Sequence, residues 1–203
     1  MPPIILLMVS CLLLSAGFSS RFGSPKALAR LKDQTLIEHL QELLLSTQLH
    51  EIIIVLGHGA EQIKPFLFKH IKIKVVYNKD YKFGQTSSFK CGLKDLAAQA
   101  TGILLLPIDY PIVKAETFDA LIAFFEGKKP MALIPSYQDK KGHPPILNVG
   151  LKSEFLALKD SVGVNTVIHH HIDDVIVLPV DDPGVLKSFN TKEEFERIKT
   201  ELT

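Results

Sequence analysis

Apolar runs of strand length alternate with stretches of helical period along this chain. Met8–Leu14, Glu51–Leu56, Ile71–Tyr77, Gly102–Pro107, Pro130–Pro135, Ile146–Val149 and Asp174–Val180 read as strands. The runs EIIIVL and GILLL are nearly continuous in apolar residues, as parallel strands buried on both faces require. Ile71–Val75 alternates Ile and Lys, which suits a sheet edge or a strand covered on one side. Between the runs, residues 35–46, 60–69, 87–98, 115–126, 163–171 and 191–202 predict helices. The first and last of these open on Thr35-x-x-Glu38 and Thr191-x-x-Glu194, each a capping box. A β-α-β-α order with short connections predicts an α/β fold, a Rossmann-like, mainly parallel sheet flanked by helices. No repeat, linker or low-complexity segment interrupts it, so residues 1–203 are expected to form a single domain.

In such sheets ligands bind outside the carboxyl ends of the strands, and the residues that follow each strand carry the candidate chemistry. After the first strand comes Ser15-Ala16-Gly17-Phe18-Ser19-Ser20-Arg21-Phe22-Gly23-Ser24-Pro25-Lys26. Small residues and two glycines let backbone N–H groups approach a polyphosphate, and Arg21 and Lys26 add cationic donors. The segment lacks the Gly-Lys-Ser/Thr ending of a Walker loop and the G-x-G-x-x-G of a dinucleotide fingerprint. On its residues alone it suits either a phosphate cradle or a Gly/Ser turn carrying two basic side chains. Asp109 follows a run of apolar residues and would stand at the sheet's carboxyl edge. It is either a ligand for a hard cation or a cap on the turn before Pro111.

Composition narrows the partners. The 203 residues are 46% hydrophobic and 22% charged with a net charge of +1, the balance of a folded globular chain and not that of a nucleic-acid-binding or anionic-membrane-binding one. The two cysteines, Cys11 and Cys91, fit no metal or disulfide spacing and suit a reducing compartment. Residues 3–14 read PIILLMVSCLLL, and Met8–Cys11 loosely resembles a lipoprotein cleavage box. No Lys or Arg precedes the run, and it falls short of the about 20 residues that span a bilayer. It is therefore expected to be a buried strand in a cytoplasmic protein without membrane attachment. A start at Met8 would leave a strand of ordinary length.

The segment LLLSAGFSSRFGSPKAL resembles the L-A-A-G-x-S-x-R-x-G-x-P-K signature of MobA-like nucleotidyltransferases, which include the molybdenum-cofactor cytidylyl- and guanylyltransferases. GQTSSFKCGL resembles the family's nucleotide-contacting G-x-x-x-S segment, and LLLPIDYP its strand ending in a metal-binding aspartate. GHPPIL is similar to the Gly-His-Pro motif of the molybdenum-cofactor branch, and DDPGVLKSFNTKEEF to that branch's closing segment. The resemblance implies the nucleotide-diphospho-sugar transferase fold with a seven-stranded mixed sheet. It implies that Arg21 and Lys26 hold a triphosphate together with Gly17 and Gly23, while the Ser15, Ala16 and Gly17 backbone touches the base. Gly84 with Ser87 or Ser88 would fix the nucleoside, and His143 would contact the acceptor. Asp109 would bind magnesium (Mg2+).

Asn190 stands where the family carries a second aspartate, and Ser188 replaces another. The Asn190 amide oxygen could serve the metal, or the residue could cap the last helix. The His169-His170-His171 run is assigned to a helix end, because consecutive helical residues point in different directions. The branch implies CTP, favoured over GTP, as donor and a phosphate-bearing acceptor, molybdopterin, with contact to molybdoenzyme maturation factors. Alternatives are a sugar- or polyol-phosphate acceptor, or a nucleotide-binding module that has lost turnover.

Overall fold

The computed structural model describes residues 8–201. Ten strands are assigned among them: β1 (Val9–Ser15), β2 (Arg30–Leu31), β3 (Gln34–Thr35), β4 (Glu51–Leu56), β5 (Ile73–Tyr77), β6 (Gly102–Pro107), β7 (Ala132–Tyr137), β8 (Lys140–Lys141), β9 (Ile146–Asn148) and β10 (Val175–Pro179). The helices are α1 (Leu36–Leu45), α2 (Ala60–Ile63), α3 (Gln85–Lys94), α4 (Ala115–Lys128), α5 (Lys152–Ala157), α6 (Asn165–His170) and α7 (Lys192–Lys199). One sheet runs in the order β10-β7-β9-β6-β1-β4-β5, seven strands as expected, with β8 added as an eighth on β7; β2 and β3 pair by themselves.

The sheet is mainly parallel, and the helices that cross between its strands bury the apolar runs on both faces. Along β1, Val9, Cys11 and Leu13 point into one core layer and Leu12 and Leu14 into the other. The same alternation repeats at Ile52–Leu56 and Ile103–Leu106. One face is covered by α1, α4 and α7 through residues such as Leu40, Phe118 and Phe195. The other is covered by α3, α5 and α6 through Phe89, Phe155 and Val167. Cys11 is fully buried in the central strand, between β4 and β6. Residues 1–7, the rest of the N-terminal apolar run, lie outside those described, as does Leu202, the last residue of the expected C-terminal helix. Among the described residues no helix is long and apolar enough to cross a membrane.

Two features of this topology place the site. From β1 the chain moves outward to β4 and β5, then returns through α3 to β6 on the other side of β1. The order reverses between β1 and β6, and a crevice opens at the carboxyl ends of that pair. The strand β9 then enters antiparallel to β6, so residues 142–145, which precede it, reach the same edge. The Leu105 N–H donates to the Pro145 carbonyl at 3.0 Å and fixes that return.

Several boundaries differ from the sequence expectation. The expected helix over 60–69 stops as α2 at Ile63 and continues only as a 3-10 turn over Lys64–Phe66. Pro65 has no N–H to continue the ladder. β5 starts at Ile73, and Ile71 is 96% exposed. β5 is an edge strand, as its Ile/Lys alternation suggested.

Candidate active site

The loop from β1 and the segments that follow β4, β5, β6, β8 and β10 enclose a cleft of about 650 Å³. Its lining includes Ser15, Ala16, Gly17, Arg21, Lys26, Gly84, Ser88, Asp109, His143 and Asn190. These ten expected site residues come from separate parts of the chain and meet at the carboxyl edge of the sheet.

Within the loop, Ser19 accepts the N–H groups of Phe22 and Gly23, each at 2.9 Å, on its carbonyl. Its hydroxyl accepts from the Lys26 N–H at 3.3 Å. Gly23 has φ +81°, which turns the chain back toward Lys26, and it is not among the residues that line the cleft. Gly17 is exposed on the cleft wall with open space around its Cα, so the backbone there is accessible to a ligand.

Lys26 is nearly buried, and all three of its ammonium donors are engaged. They reach Phe189 O at 2.6 Å, Asp109 Oδ2 at 3.1 Å and Asn190 Oδ1 at 3.2 Å. The Lys26 ammonium also lies 5.0 Å from the centroid of the Phe189 ring. Lys26 was expected as a phosphate ligand, and here it is a strut joining the loop, the end of β6 and the closing segment. Phe189 anchors that segment: its ring packs on Phe22 and Phe195, and its N–H donates to the Asp109 carbonyl at 3.2 Å. The exposed Arg21 places one donor on Asn190 Oδ1 at 3.0 Å. Four of its five N–H groups make no hydrogen bond among the described residues.

This arrangement bears on the expected metal ligands. Asp109 Oδ1 is buried with no hydrogen-bond partner among the described residues, an orphaned acceptor that a cation would satisfy. The Asn190 amide oxygen instead accepts from two cationic groups, which disfavours a divalent ion there. Nor is Asn190 the cap of α7. Thr191 is, through a complete capping box with Glu194. Among the described residues no three His, Cys, Asp or Glu side chains gather into a metal site, so a cation on Asp109 would take its other ligands from phosphate and water. The His169–His171 run ends α6 as expected, with His171 bonded to Glu154 at 2.9 Å.

At the α3 end, Gly84 is the N-cap with φ +99°, and Gly84, Gln85 and Ser88 line the cleft. Ser87 does not. Its hydroxyl is committed to the carbonyls of Asp80 and Gly84 and to the amide of Asn78. Across the cleft, His143 stacks on Tyr110 with centroids 4.4 Å apart. Burial pulls the His143 pKa below its ordinary value against the opposing pull of Asp109, and burial raises that of Tyr110. His143 Nδ1 is buried without a hydrogen-bond partner among the described residues.

His39 is depressed in the same way, by burial outweighing its bond to the Pro111 carbonyl. Histidines whose folded pKa lies below the unfolded value of about 6.5 let the unfolded chain take up protons first as pH falls. Their stability contribution is whole above that value and is lost as pH falls from it through the folded pKa. The melting temperature should therefore hold from about pH 8 to 7 and drop between about pH 6.5 and 5, with a shallower drop in His39→Gln. Thermal scans across that range would contradict the buried neutral rings if they were flat. Glu38 and Glu51, also depressed, lose their contribution only at lower pH.

The sequence singled out none of Phe18, His58, Tyr81 and Tyr110, all of which line the cleft beside Ser188, which it had noted as replacing a family aspartate. Phe18 and Tyr110 each sit beside a residue that was singled out. His58 and Tyr81 follow the ends of β4 and β5, the positions where function concentrates in such sheets.

Residues 11–185 match the model of the MobA-like NTP transferase domain. The chain is 31% identical over 157 residues to the nicotine blue oxidoreductase of Paenarthrobacter nicotinovorans, covering 71% of this chain and 72% of that one. It is 30% identical over 142 residues to a probable molybdenum cofactor guanylyltransferase of Bacillus anthracis (strain CDC 684 / NRRL 3495), covering 64% and 68%. Among solved structures it is similar to a homologue, from mycobacterium sp. strain JC1, of Mycobacterium tuberculosis Rv0371c. The TM-score is 0.85 at 26% identity, over 97% of both chains.

Proposed function

This chain belongs to the MobA-like NTP transferase family, and from that membership we infer that it moves a nucleoside monophosphate from a triphosphate onto a phosphate-bearing acceptor, releasing pyrophosphate. The observation that carries the reading is the orphaned Asp109 carboxylate oxygen beside the Arg21–Lys26 loop at the β1/β6 reversal.

An ionised acceptor phosphate is its own nucleophile and needs no general base. Its oxygen forms a bond to the α-phosphorus, and the bond from that phosphorus to the oxygen bridging to the β-phosphate breaks. Catalysis then consists of alignment and charge neutralisation. The loop backbone around Gly17 and the exposed Arg21 would hold the phosphates. Lys26 would keep Asp109 and the Asn190 carbonyl-bearing amide in one frame. Asp109 would hold a divalent cation, magnesium in our reading, which neutralises phosphate charge when bound. His143 and Tyr110, on the β6/β9 side, would bound the acceptor's end of the cleft.

Two observations point to different bases. The Gly-His-Pro segment at 142–144 favours CTP, whereas the name of the Bacillus relative favours GTP. That name and the same segment both support molybdopterin as acceptor. The Paenarthrobacter relative is named as an oxidoreductase, and this chain has no G-x-G-x-x-G fingerprint for a dinucleotide. Pyrophosphate release is the test, measured with each of the four triphosphates, magnesium, and molybdopterin or a sugar phosphate as acceptor. A reduced nicotinamide cofactor with a quinone-like dye serves as the redox arm. The reading requires pyrophosphate from at least one donor–acceptor pair. Turnover in the redox arm alone would overturn it.

A further inference from the structure

Three rings that no part of the transfer uses stand together on one wall of the cleft. Phe18 belongs to the loop after β1, His58 follows β4 and Tyr81 follows β5. The Phe18 centroid lies 5.2 Å from that of His58 and 5.2 Å from that of Tyr81, and the last two are 6.0 Å apart. The backbone fixes the group. The His58 N–H donates to the Ala16 carbonyl at 3.0 Å, lacing the end of β4 to the loop. Gly57 leaves room for the approach of Tyr81, since a Cβ there would stand 2.6 Å from the Tyr81 Cβ and 2.8 Å from the Ala16 carbonyl oxygen.

Two rings thus support a third that remains 48% exposed. The His58 ring meets it tilted by 43° and the Tyr81 ring edge-on at 65°, and a half-exposed aromatic ring on a cleft wall suits a flat ring better than a chain. The second aromatic pair of the cleft differs. Tyr110 and His143 spend their faces on each other at 4.4 Å, which leaves Phe18 as the open platform. Phe18 also shares its loop with the exposed Arg21, three residues on, so a ring on Phe18 can carry its phosphates toward that cation.

We propose that Phe18, backed by His58 and Tyr81, is the stacking platform for the base of the nucleotide. The base lies on the β4/β5 side of the cleft, and the phosphates run toward Arg21 and Asp109. The inference rests on the nucleotide reading above. Stacking is blind to the edges of a base, because every base has a π face. The platform therefore adds affinity for all four triphosphates, and more for purines, whose two rings cover more of it. Discrimination among bases of one size falls to polar groups such as Gln85 and the loop backbone.

Phe18→Ala and Phe18→Trp test this by calorimetric titration with each triphosphate and with inorganic tripolyphosphate, all with magnesium. Phe18→Ala should weaken triphosphate binding about 10-fold and leave tripolyphosphate binding unchanged, because only the former carries a base. Phe18→Trp should retain triphosphate affinity. The natural chain has no tryptophan, so the introduced indole is a single reporter whose emission a stacked base should quench and tripolyphosphate should not. Melting curves establish that both variants fold. Wild-type triphosphate affinity in Phe18→Ala, or unquenched emission with a triphosphate bound, overturns the platform while leaving the nucleotide reading in place. An equal loss for tripolyphosphate would show that Phe18 only shapes the loop. If wild-type protein binds tripolyphosphate but no triphosphate more tightly, there is no base subsite. If it binds neither, the nucleotide reading itself fails.

Discussion

Asp109→Asn should reduce pyrophosphate release by at least about 100-fold while the protein stays folded. The substitution keeps the shape of the side chain and an oxygen that can accept from Lys26, 3.1 Å away in the native protein. What it removes is the negative charge at the reversal between β1 and β6, where Asp109 Oδ1 is buried and otherwise without a partner. Packing around the residue is unchanged, because Tyr110 stacks on His143 and Phe189 donates to the Asp109 main chain. Weakening the ion pair to Lys26 should cost about 1–2 kcal/mol, a shift of a few degrees in melting temperature. Steady-state pyrophosphate assays beside thermal scans separate the two effects. Turnover near that of the wild type would remove Asp109 from the chemistry.

Lys26→Ala should do more than weaken phosphate binding. The ammonium meets Asp109, Phe189 and Asn190 together in a nearly buried position, and its removal leaves a partly buried carboxylate and a carbonyl without donors. Breaking a buried pair from one side costs about 3–5 kcal/mol, and the 20% exposure of the Asp109 side chain lowers that to about 2–4. At roughly 2–4 °C per kcal/mol for a chain of this size, the melting temperature should fall by about 5–15 °C. The closing segment should loosen as well, since Phe189 O and Asn190 lose their link to the loop. Differential scanning calorimetry tests this, with amide exchange at residues 187–191 as the local readout. A variant that melts within about 1 °C of the wild type would mean the strut carries no load.

Much of this was legible in the sequence, and the exceptions have physical reasons. The strands at Glu51–Leu56 and Gly102–Pro107 match the expected bounds because their apolar runs are bounded by polar or turn residues and buried on both faces. The helix α5 was missed because six residues make too short a window for a 3.6-residue period, and only Phe155 among them is fully buried. The pairing of β2 with β3 and of β7 with β8 involves two residues per strand, below any detectable alternation. The motif segments identified ten of the residues that meet in the cleft, while Gly23 and Ser87 lie outside it. They did not reveal what those residues do to one another at rest. Lys26 in a Gly loop looks like a phosphate ligand, and only the fold brings Phe189 and Asn190, from more than 160 positions away in sequence, onto its ammonium. Asn190 looked like a ligand or a cap, yet Thr191 takes the cap and two cations take the amide oxygen. The Phe18–His58–Tyr81 group joins three loops, and no local pattern could announce it.

Thermal melting of the protein with each of the four nucleoside triphosphates and magnesium tests the central claim most directly. At a concentration about 100 times its dissociation constant, a bound ligand adds roughly 2.7 kcal/mol of stability, which raises the melting temperature by about 5–10 °C. At least one triphosphate should give that rise, and the rise should shrink when Asp109→Asn is melted in parallel. Four melting curves that superimpose on the ligand-free one would contradict the assignment of this cleft to a nucleotide.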